Sequence, residues 1–426
     1  MLSSFLIVCL LAFASSKPCD TEGSVNELLT SLNKDLLRSL ESQEGVPNPS
    51  VHLALRLSNF HNLAKESEHL NKLKTDLHNE IQNSLSNGQP VTGLLALYTM
   101  ALKSSCYDLN TVTFTVSETR EALLTQLKKQ MRHENEHIGL SHRPLTNYYQ
   151  YSLGVLALCA SGVRVNNHVS NKLIKAVEDE QFKHGNSEST DTNAMAGMAL
   201  QCVKDAGSHV HNAAELDIAL SKIKQKLLAS RRPDGHIGNE FSTGLAVQAL
   251  LAMGSQVAEC AASMEAMRTG ARSNTYHNPM AISQILPALQ QKTYLTVKSK
   301  ECLNEDNTLV LETIDHVEAS RSESNVSLMV EVVISSGAAA VYSVDVPKGS
   351  SLLEALELLK GINVGFTFEK ESSLWGPFLS VVNGEQARQS DRRYWHLSSN
   401  GDALSQGIND FKIKEAQNIT IKNTSY

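Results

Sequence analysis

The chain has no Cys-x-x-Cys pair, no His-Glu-x-x-His, no Gly-x-Ser-x-Gly elbow and no Walker A loop. Each absence removes a class. Without clustered thiols, a structural zinc site lacks its usual ligand set. Without the other three, zinc-protease, α/β-hydrolase and P-loop chemistry lose their recognisable centres. The Gly185-Asn186-Ser187 stretch does not supply a nucleophile elbow. Basic blocks are also missing: 38 Lys and Arg are interspersed with 45 Asp and Glu, for a net charge of −7. Nothing there gives the electrostatic footprint that nucleic-acid binding requires. Long apolar runs are absent too. The run at residues 5–13 falls short of the roughly 20 residues of a membrane span, and no other segment approaches that length, so no membrane insertion is expected.

That run, followed by Ala14-Ser15-Ser16, reads as a secretory signal over residues 1–16, although no Lys or Arg precedes it. Cleavage removes Cys9 and leaves Cys19, Cys106, Cys159, Cys202, Cys260 and Cys302. An even set in a secreted chain points to disulfides, and the count alone leaves the pairing open. Glycosylation sequons at Asn325, Asn418 and Asn423 fit the same compartment, whereas Pro49 disqualifies Asn48.

Three polar clusters each precede a small-residue apolar stretch. Thr146-Asn147-Tyr148-Tyr149-Gln150-Tyr151 leads into Gly154-Val155-Leu156-Ala157-Leu158-Cys159. Thr190-Asp191-Thr192-Asn193 leads into Ala194-Met195-Ala196-Gly197, and Asn239-Glu240-Phe241-Ser242-Thr243 into Gly244-Leu245-Ala246-Val247. Recurrence at this length signals repeated helical hairpins. Apolar periodicity predicts about twelve helices, near 24–42, 50–64, 68–87, 92–104, 117–132, 146–163, 168–178, 191–206, 214–229, 242–254, 258–269 and 278–291. Ser50 is the expected N-cap of the second. Every second segment is the more apolar, as expected of helices buried on most sides. The pattern predicts a mainly α chain: an (α/α)6 toroid over residues 17–302, with the polar N-termini of its inner helices gathered at one end. A linear solenoid is the alternative; six hairpins stapled by three cysteine pairs favour closure. Residues 303–325 are polar and acidic and read as a linker. Strand-like runs near 328–334, 339–346, 365–369, 378–382, 394–397 and 418–421, with a helix at 352–360, make residues 326–426 a smaller β-rich α+β domain.

The rim offers little for proton transfer. His133, His137, His142 and His184 lie in or beside polar breaks, at spacings that match no zinc pattern, and read as surface residues. A toroidal glycosidase or cyclase would need two facing carboxylates. Asp191 is the best first acid and Glu240 the only suggested second, and Asp191 has an equally good reading as an N-cap. More abundant are neutral hydrogen-bonding groups beside aromatics: Thr146, Tyr148, Tyr149, Gln150, Asn239, Ser242 and Gln284. They suit a large, amide-rich, partly apolar ligand. Competing roles are helix capping for Thr146 and Ser242 and core packing for Tyr148 and Tyr151. Gln284 sits in the apolar run Ala281-Ile282-Ser283-Gln284-Ile285-Leu286, where a buried amide needs partners.

At these residues the chain resembles the cobalamin carriers, the family of transcobalamin, intrinsic factor and haptocorrin. The likeness runs over nearly the whole chain. It is carried by Asn48-Pro49-Ser50, Leu55-Arg56-Leu57-Ser58, Tyr148-Tyr149-Gln150-Tyr151, Asp191-Thr192, Gly238-Asn239, Ser242-Thr243 and Ile282-Ser283-Gln284, then by Gly376-Pro377-Phe378-Leu379, Tyr394-Trp395 and Gln406-Gly407-Ile408. The resemblance implies a toroid and a β-rich domain holding one cobalamin between them, and the disulfides Cys19–Cys260, Cys106–Cys302 and Cys159–Cys202. It implies ligand contacts from Thr146, Gln150, Asp191, Asn239, Ser242 and Gln284, and from Trp395, His396 and Leu397 in the small domain. An exposed strand Trp would pack well on a flat apolar ligand; its competing role is the small domain's core.

Two positions depart from transcobalamin. That protein has adjacent histidines before the acid matching Asp191, one of which coordinates cobalt; residues 186–190 here contain none, so no metal ligand is expected from them. Leu94 stands where transcobalamin has a glutamine. The expectation is a secreted, monomeric, non-enzymatic cobalamin carrier recognised by a cell-surface uptake receptor. The alternatives are the toroidal enzyme above and a thioester-type or protein-interaction module without a small-molecule pocket.

Overall fold

The computed structural model describes residues 26–42, 46–184, 187–207, 213–311, 325–373, 376–388, 391, 393–404 and 406–425. The signal segment, Cys19 and most of the acidic stretch after residue 311 therefore lie outside the described residues.

Among the described residues, thirteen helices precede the sheet-rich region: α1 (Asn26–Ser42), α2 (Pro49–Leu57), α3 (Leu63–Lys72), α4 (His78–Ser86), α5 (Thr92–Ser104), α6 (Leu123–Ser141), α7 (Tyr148–Ala160), α8 (Asn167–Glu178), α9 (Thr190–Asp205), α10 (Ala213–Ala229), α11 (Thr243–Ala252), α12 (Val257–Arg272) and α13 (Pro279–Leu289). A π-helical turn, Leu73–Leu77, joins α3 to α4 and makes them one long segment. Apolar distribution decides their placement. In α7 every residue from Tyr151 to Ala160 is buried, and in α11 every one from Thr243 to Leu250. Such helices need protein on all sides. In α6 only a stripe is buried: Leu123, Gln126, Leu127, Gln130, Met131, Glu134 and Ile138. Accordingly α2, α5, α7, α9, α11 and α13 each pack on the next, and α13 returns to α2 to close a ring. The remaining helices lie outside it. Because every hairpin reverses the chain, the six inner helices run parallel and their N-termini share one end. The fold is the expected (α/α)6 toroid.

Close backbone approach tightens the ring. A Cβ built on Gly244 of α11 would lie 2.7 Å from the Gln284 carbonyl oxygen on α13. After α13, the 3-10 turn Tyr294–Ser299 packs on α5, α7 and α9, with Tyr294 and Val297 buried. The disulfide Cys159–Cys202 ties α7 to α9, and Cys106–Cys302 ties the chain beyond the ring to the end of α5. Cys260 is also disulfide-bonded; its expected partner, Cys19, is outside the described residues.

Several boundaries differ from expectation. Residues 117–122 belong to a hairpin, β1 (Thr113–Val116) and β2 (Thr119–Ala122), and not to a helix. The β-branched run into Phe114 favours a strand, and Ser117 and Glu118 both take positive φ, as a tight two-residue hairpin turn requires. The helix begins later and runs to Ser141, ending on His142 in the left-handed region at φ 61°. His133 and His137 are thus helical residues, outside any break. The N-cap of α2 is Asn48, with Pro49 at the first turn, and Ser50 donates its N–H to Asn48 Oδ1 at 2.8 Å. Residues 303–311, expected as linker, are fastened to the toroid. Glu305 pairs with Arg56 at 2.5 Å and Leu309 donates its N–H to the His61 carbonyl. A second small hairpin, β3 (Lys183–His184) with β4 (Ser187–Glu188), precedes α9.

The C-terminal body has its own core, from Leu328 to Ile421. Its strands are β5 (Asn325–Val333), β6 (Ala339–Pro347), β7 (Phe368–Ser373), β8 (Gly376–Val382), β9 (Glu385–Gln386), β10 (Arg393–Ser399), β11 (Asp402–Ala403) and β12 (Gln417–Ser425). One sheet has the order β11-β10-β12-β5-β6, with β12 and β5 parallel and the other pairs antiparallel. The helix α14 (Leu352–Ile362), capped by Ser351 and Glu354, and the small sheet β7-β8-β9 share its core. Between the two bodies, His277 Nε2 lies 3.1 Å from the Asp410 carbonyl oxygen.

Candidate ligand-binding rim

The N-terminal turns of the inner helices are held by side chains. Asn147 caps α7, Ser189 caps α9 and Asn278 caps α13, each accepting a backbone N–H; such caps contribute about 1 kcal/mol apiece. With Ser189 in the capping position, Asp191 is not the cap of α9. It lies in the first helical turn, half-buried, where the positive end of the helix favours an anion. Burial, then the nearby Tyr294 and Asp191, push the Tyr149 hydroxyl well above its ordinary pKa.

Neither Thr146 nor Ser242 serves as a side-chain cap. Thr146 donates its hydroxyl to Glu134 Oε1 at 2.6 Å and its N–H to Glu134 Oε2 at 3.1 Å. Ser242 stands at the start of α11 without a side-chain cap bond. There Asn239 does the work, its Oδ1 accepting the N–H groups of Phe241 and Ser242 at 2.9 and 2.8 Å. Gln150 accepts the Gly93 N–H at 3.2 Å, which joins the starts of α5 and α7. Gly238, at φ 72°, brings the turn before α11 so close to Thr190 that a Cβ would sit 2.5 Å from its Oγ1. Gln248 Nε2 donates to the Gln284 carbonyl at 3.0 Å, and Gln284 itself is only half-buried. Thr146, Gln150, Asp191, Asn239, Ser242 and Gln284 thus all belong to inner helices or to the turns entering them, at one end of the ring. Tyr148 and Tyr151 are core residues, and Tyr151 donates its hydroxyl to the Val169 carbonyl at 2.8 Å.

The small body departs from expectation at Trp395. Its indole is 7% exposed, lies in the core and points Nε1 at the Ser380 carbonyl, 3.4 Å away. It is not the exposed strand Trp expected. Consecutive strand residues alternate faces, so Trp395 and Leu397 share the core side of β10 while His396 occupies the other, edge-on to Tyr394. The three cannot present their side chains to one surface. Asn423 is enclosed for the same reason: it follows Ile419 and Ile421 on the core side of β12, is 3% exposed and accepts Arg393 Nε at 2.7 Å. Asn325 and Asn418 are exposed.

Sequence reasoning missed Glu134. It is buried at 1% exposure and also accepts the Thr92 hydroxyl at 2.7 Å. The signal was present: Leu123, Leu127, Gln130, Met131, Glu134 and Ile138 fall on one helical stripe, so an acid there faces inward. The expected helix stopped at residue 132 and left it out. The proposed second acid, Glu240, has Arg232 as its ion-pair neighbour, 3.8 Å away.

A closed ring of parallel helices, a rim of mostly neutral hydrogen-bonding groups and a separate β-rich body define the class: a two-body protein built on an (α/α)6 toroid. Residues 1–322 match the family described as eukaryotic cobalamin-binding protein, and residues 349–425 match a domain of unknown function. The chain is 33% identical over 422 residues to transcobalamin-2 of Bos taurus, covering 95% of this chain and 94% of that one. It is 27% identical to cobalamin binding intrinsic factor of Homo sapiens, over 95% of this chain and 93% of that one. The solved structure of haptocorrin in complex with Cbi superposes with a TM-score of 0.74 at 26% identity, over 96% of this chain and 100% of the other. The chain belongs to the eukaryotic cobalamin-binding protein family.

Proposed function

We propose that this protein is a secreted carrier that binds one cobalamin between the toroid rim and the small body, and that it performs no catalysis. Cobalamin binding and transport follow from family membership together with the chemistry of the rim. The observation that carries the reading is the gathering of Gln150, Asp191, Asn239, Ser242 and Gln284 at the shared N-terminal end of a closed ring. Most of these groups are neutral, and a corrin edged with amides needs such donors and acceptors. The enzymatic alternative needs a second acid opposite Asp191, and Glu240 is engaged elsewhere. From the small body this reading draws on β10, where the family likeness puts Trp395, His396 and Leu397; His396 is half-buried and lies off the core side.

The cargo's cobalt keeps an exchangeable ligand on this reading, because residues 186–190 carry no imidazole. Extracellular residence and an uptake receptor belong to the same proposal; among the described residues no helix is long and apolar enough to cross a membrane. The test is titration of the purified protein with cobalamin, followed by its visible absorption. Asp191→Ala and Gln284→Ala should each weaken binding by about 1–3 kcal/mol with the thermal midpoint nearly unchanged. Unchanged affinity with a collapsed midpoint would make both residues structural.

A further inference from the structure

We propose that Glu134, on the outer helix α6, sets the hydrogen-bond polarity of the α5–α7 sector of the rim, so that this sector reads a neutral primary amide and rejects a carboxylate. The inference rests on the carrier reading and specifies what one part of that site selects.

The geometry fixes the direction of each bond. A threonine hydroxyl has a single hydrogen. Thr146 directs it to Glu134 Oε1 at 2.6 Å, and Thr92 directs its own to the same oxygen at 2.7 Å. The second oxygen, Oε2, takes the Thr146 backbone N–H at 3.1 Å. Glu134 is buried, and its hydrogen-bond donors among the described residues are all neutral. Thr146 Oγ1 therefore has only lone pairs left for a further partner. One helical turn on, the Gly93 N–H faces the Gln150 side chain at 3.2 Å. A backbone N–H can only donate, so the atom facing it is the amide oxygen, and Gln150 Nε2 keeps two hydrogens to give. Thr146 and Gln150 are both half-exposed. This sector thus pairs an acceptor with a donor, the complement of a primary amide. A carboxylate would set acceptor against acceptor at Thr146, one bond removed from a second buried negative charge.

Glu134→Gln tests this directly. The Thr146 N–H would hold the new amide oxygen in place and set the new NH2 against the two hydroxyls. Thr146 would then accept from residue 134 and turn its hydrogen outward. The full mature protein would be titrated with cobalamin and with cobalamin monocarboxylates, each having one peripheral amide hydrolysed. The wild type should bind at least one monocarboxylate isomer about tenfold or more weakly than cobalamin. For that isomer, Glu134→Gln should shrink the ratio by a similar factor. A purely structural role for Glu134 would lower both affinities and leave their ratio unchanged, and that result would overturn the proposal. So would a wild type that binds every monocarboxylate as tightly as cobalamin. If Glu134→Gln does not fold, Thr146→Val removes the acceptor alone, and the same ratio must close; persistence of the ratio again overturns it. A wild type that binds no cobalamin overturns the carrier reading itself.

Discussion

Gly244 on α11 and Gln284 on α13 touch backbone to backbone, with room for a hydrogen where any other residue would place a Cβ 2.7 Å from the carbonyl oxygen. The atom in the way is main chain, so it cannot rotate aside. Gly244→Ala must push the two inner helices apart and should lower stability by about 1–3 kcal/mol, the usual range for overpacking. Equilibrium denaturation measures this. A midpoint equal to that of the wild type would mean that α11 and α13 slide freely.

His52 and His69 form a buried pair with Nδ1 atoms 3.3 Å apart, and His52 Nε2 lies 2.7 Å from Ser105 Oγ. Burial, then His69 and Arg56, hold the His52 ring well below the usual histidine range; burial, then Lys72, lower His69 to about 4. Both are depressed, so the fold favours neutral rings. Their stabilising contribution is complete above about pH 6.5 and is lost as pH falls from there toward 4. For His69 alone the loss is about 2 kcal/mol at pH 5. His69→Gln should be less sensitive than the wild type when denaturation midpoints at pH 7.5 and pH 5 are compared. Equal acid sensitivity in both proteins would remove the pair as its source.

The mature chain should carry three disulfides and no free thiol. Cys159–Cys202 closes a sequence separation of 43 and Cys106–Cys302 one of 196. In the chain-entropy account each contributes roughly 4–5 kcal/mol. Thiol titration of denatured, unreduced protein decides it: two or more reactive groups would contradict three bridges.

Glycosylation should occupy Asn325 and Asn418 and leave Asn423 bare. The side chain of Asn423 is enclosed and held by Arg393 Nε at 2.7 Å, whereas the other two are exposed. Peptide mass mapping after enzymatic deglycosylation in heavy-oxygen water reads each site separately. A label at Asn423 would require the sugar to be attached before β12 pairs with its neighbours.

The alternation of inner and outer helices was legible because burial follows composition: α7 and α11 are apolar all round, while α6 is apolar along one stripe. The hairpin at 113–122 was hidden because Glu118, Arg120 and Glu121 imitate a solvated helix face, and turn conformation at Ser117 and Glu118 is a backbone property that side-chain periodicity does not record. The rim positions could be found from polar clusters entering apolar helices, but not what each group bonds to. Thr146 and Asp191 both looked like caps, and the neighbouring Asn147 and Ser189 take that role. Under strand alternation Trp395 and Leu397 share one side of β10 and His396 takes the other. That constraint was available in the sequence; the assignment of the three as a group came from likeness to a family.

The turn Tyr294–Ser299, wedged among α5, α7 and α9, gives the ring a bottom. A tube would let cargo enter at one mouth and leave by the other. Here Tyr294 and Val297 are buried against three of the inner helices, and on the carrier reading a corrin meets the ring from its rim. On the carrier reading, loading and unloading then use the same side of the ring in opposite directions, and the dwell time of the cargo depends on the small body above it as well as on the contacts beneath it.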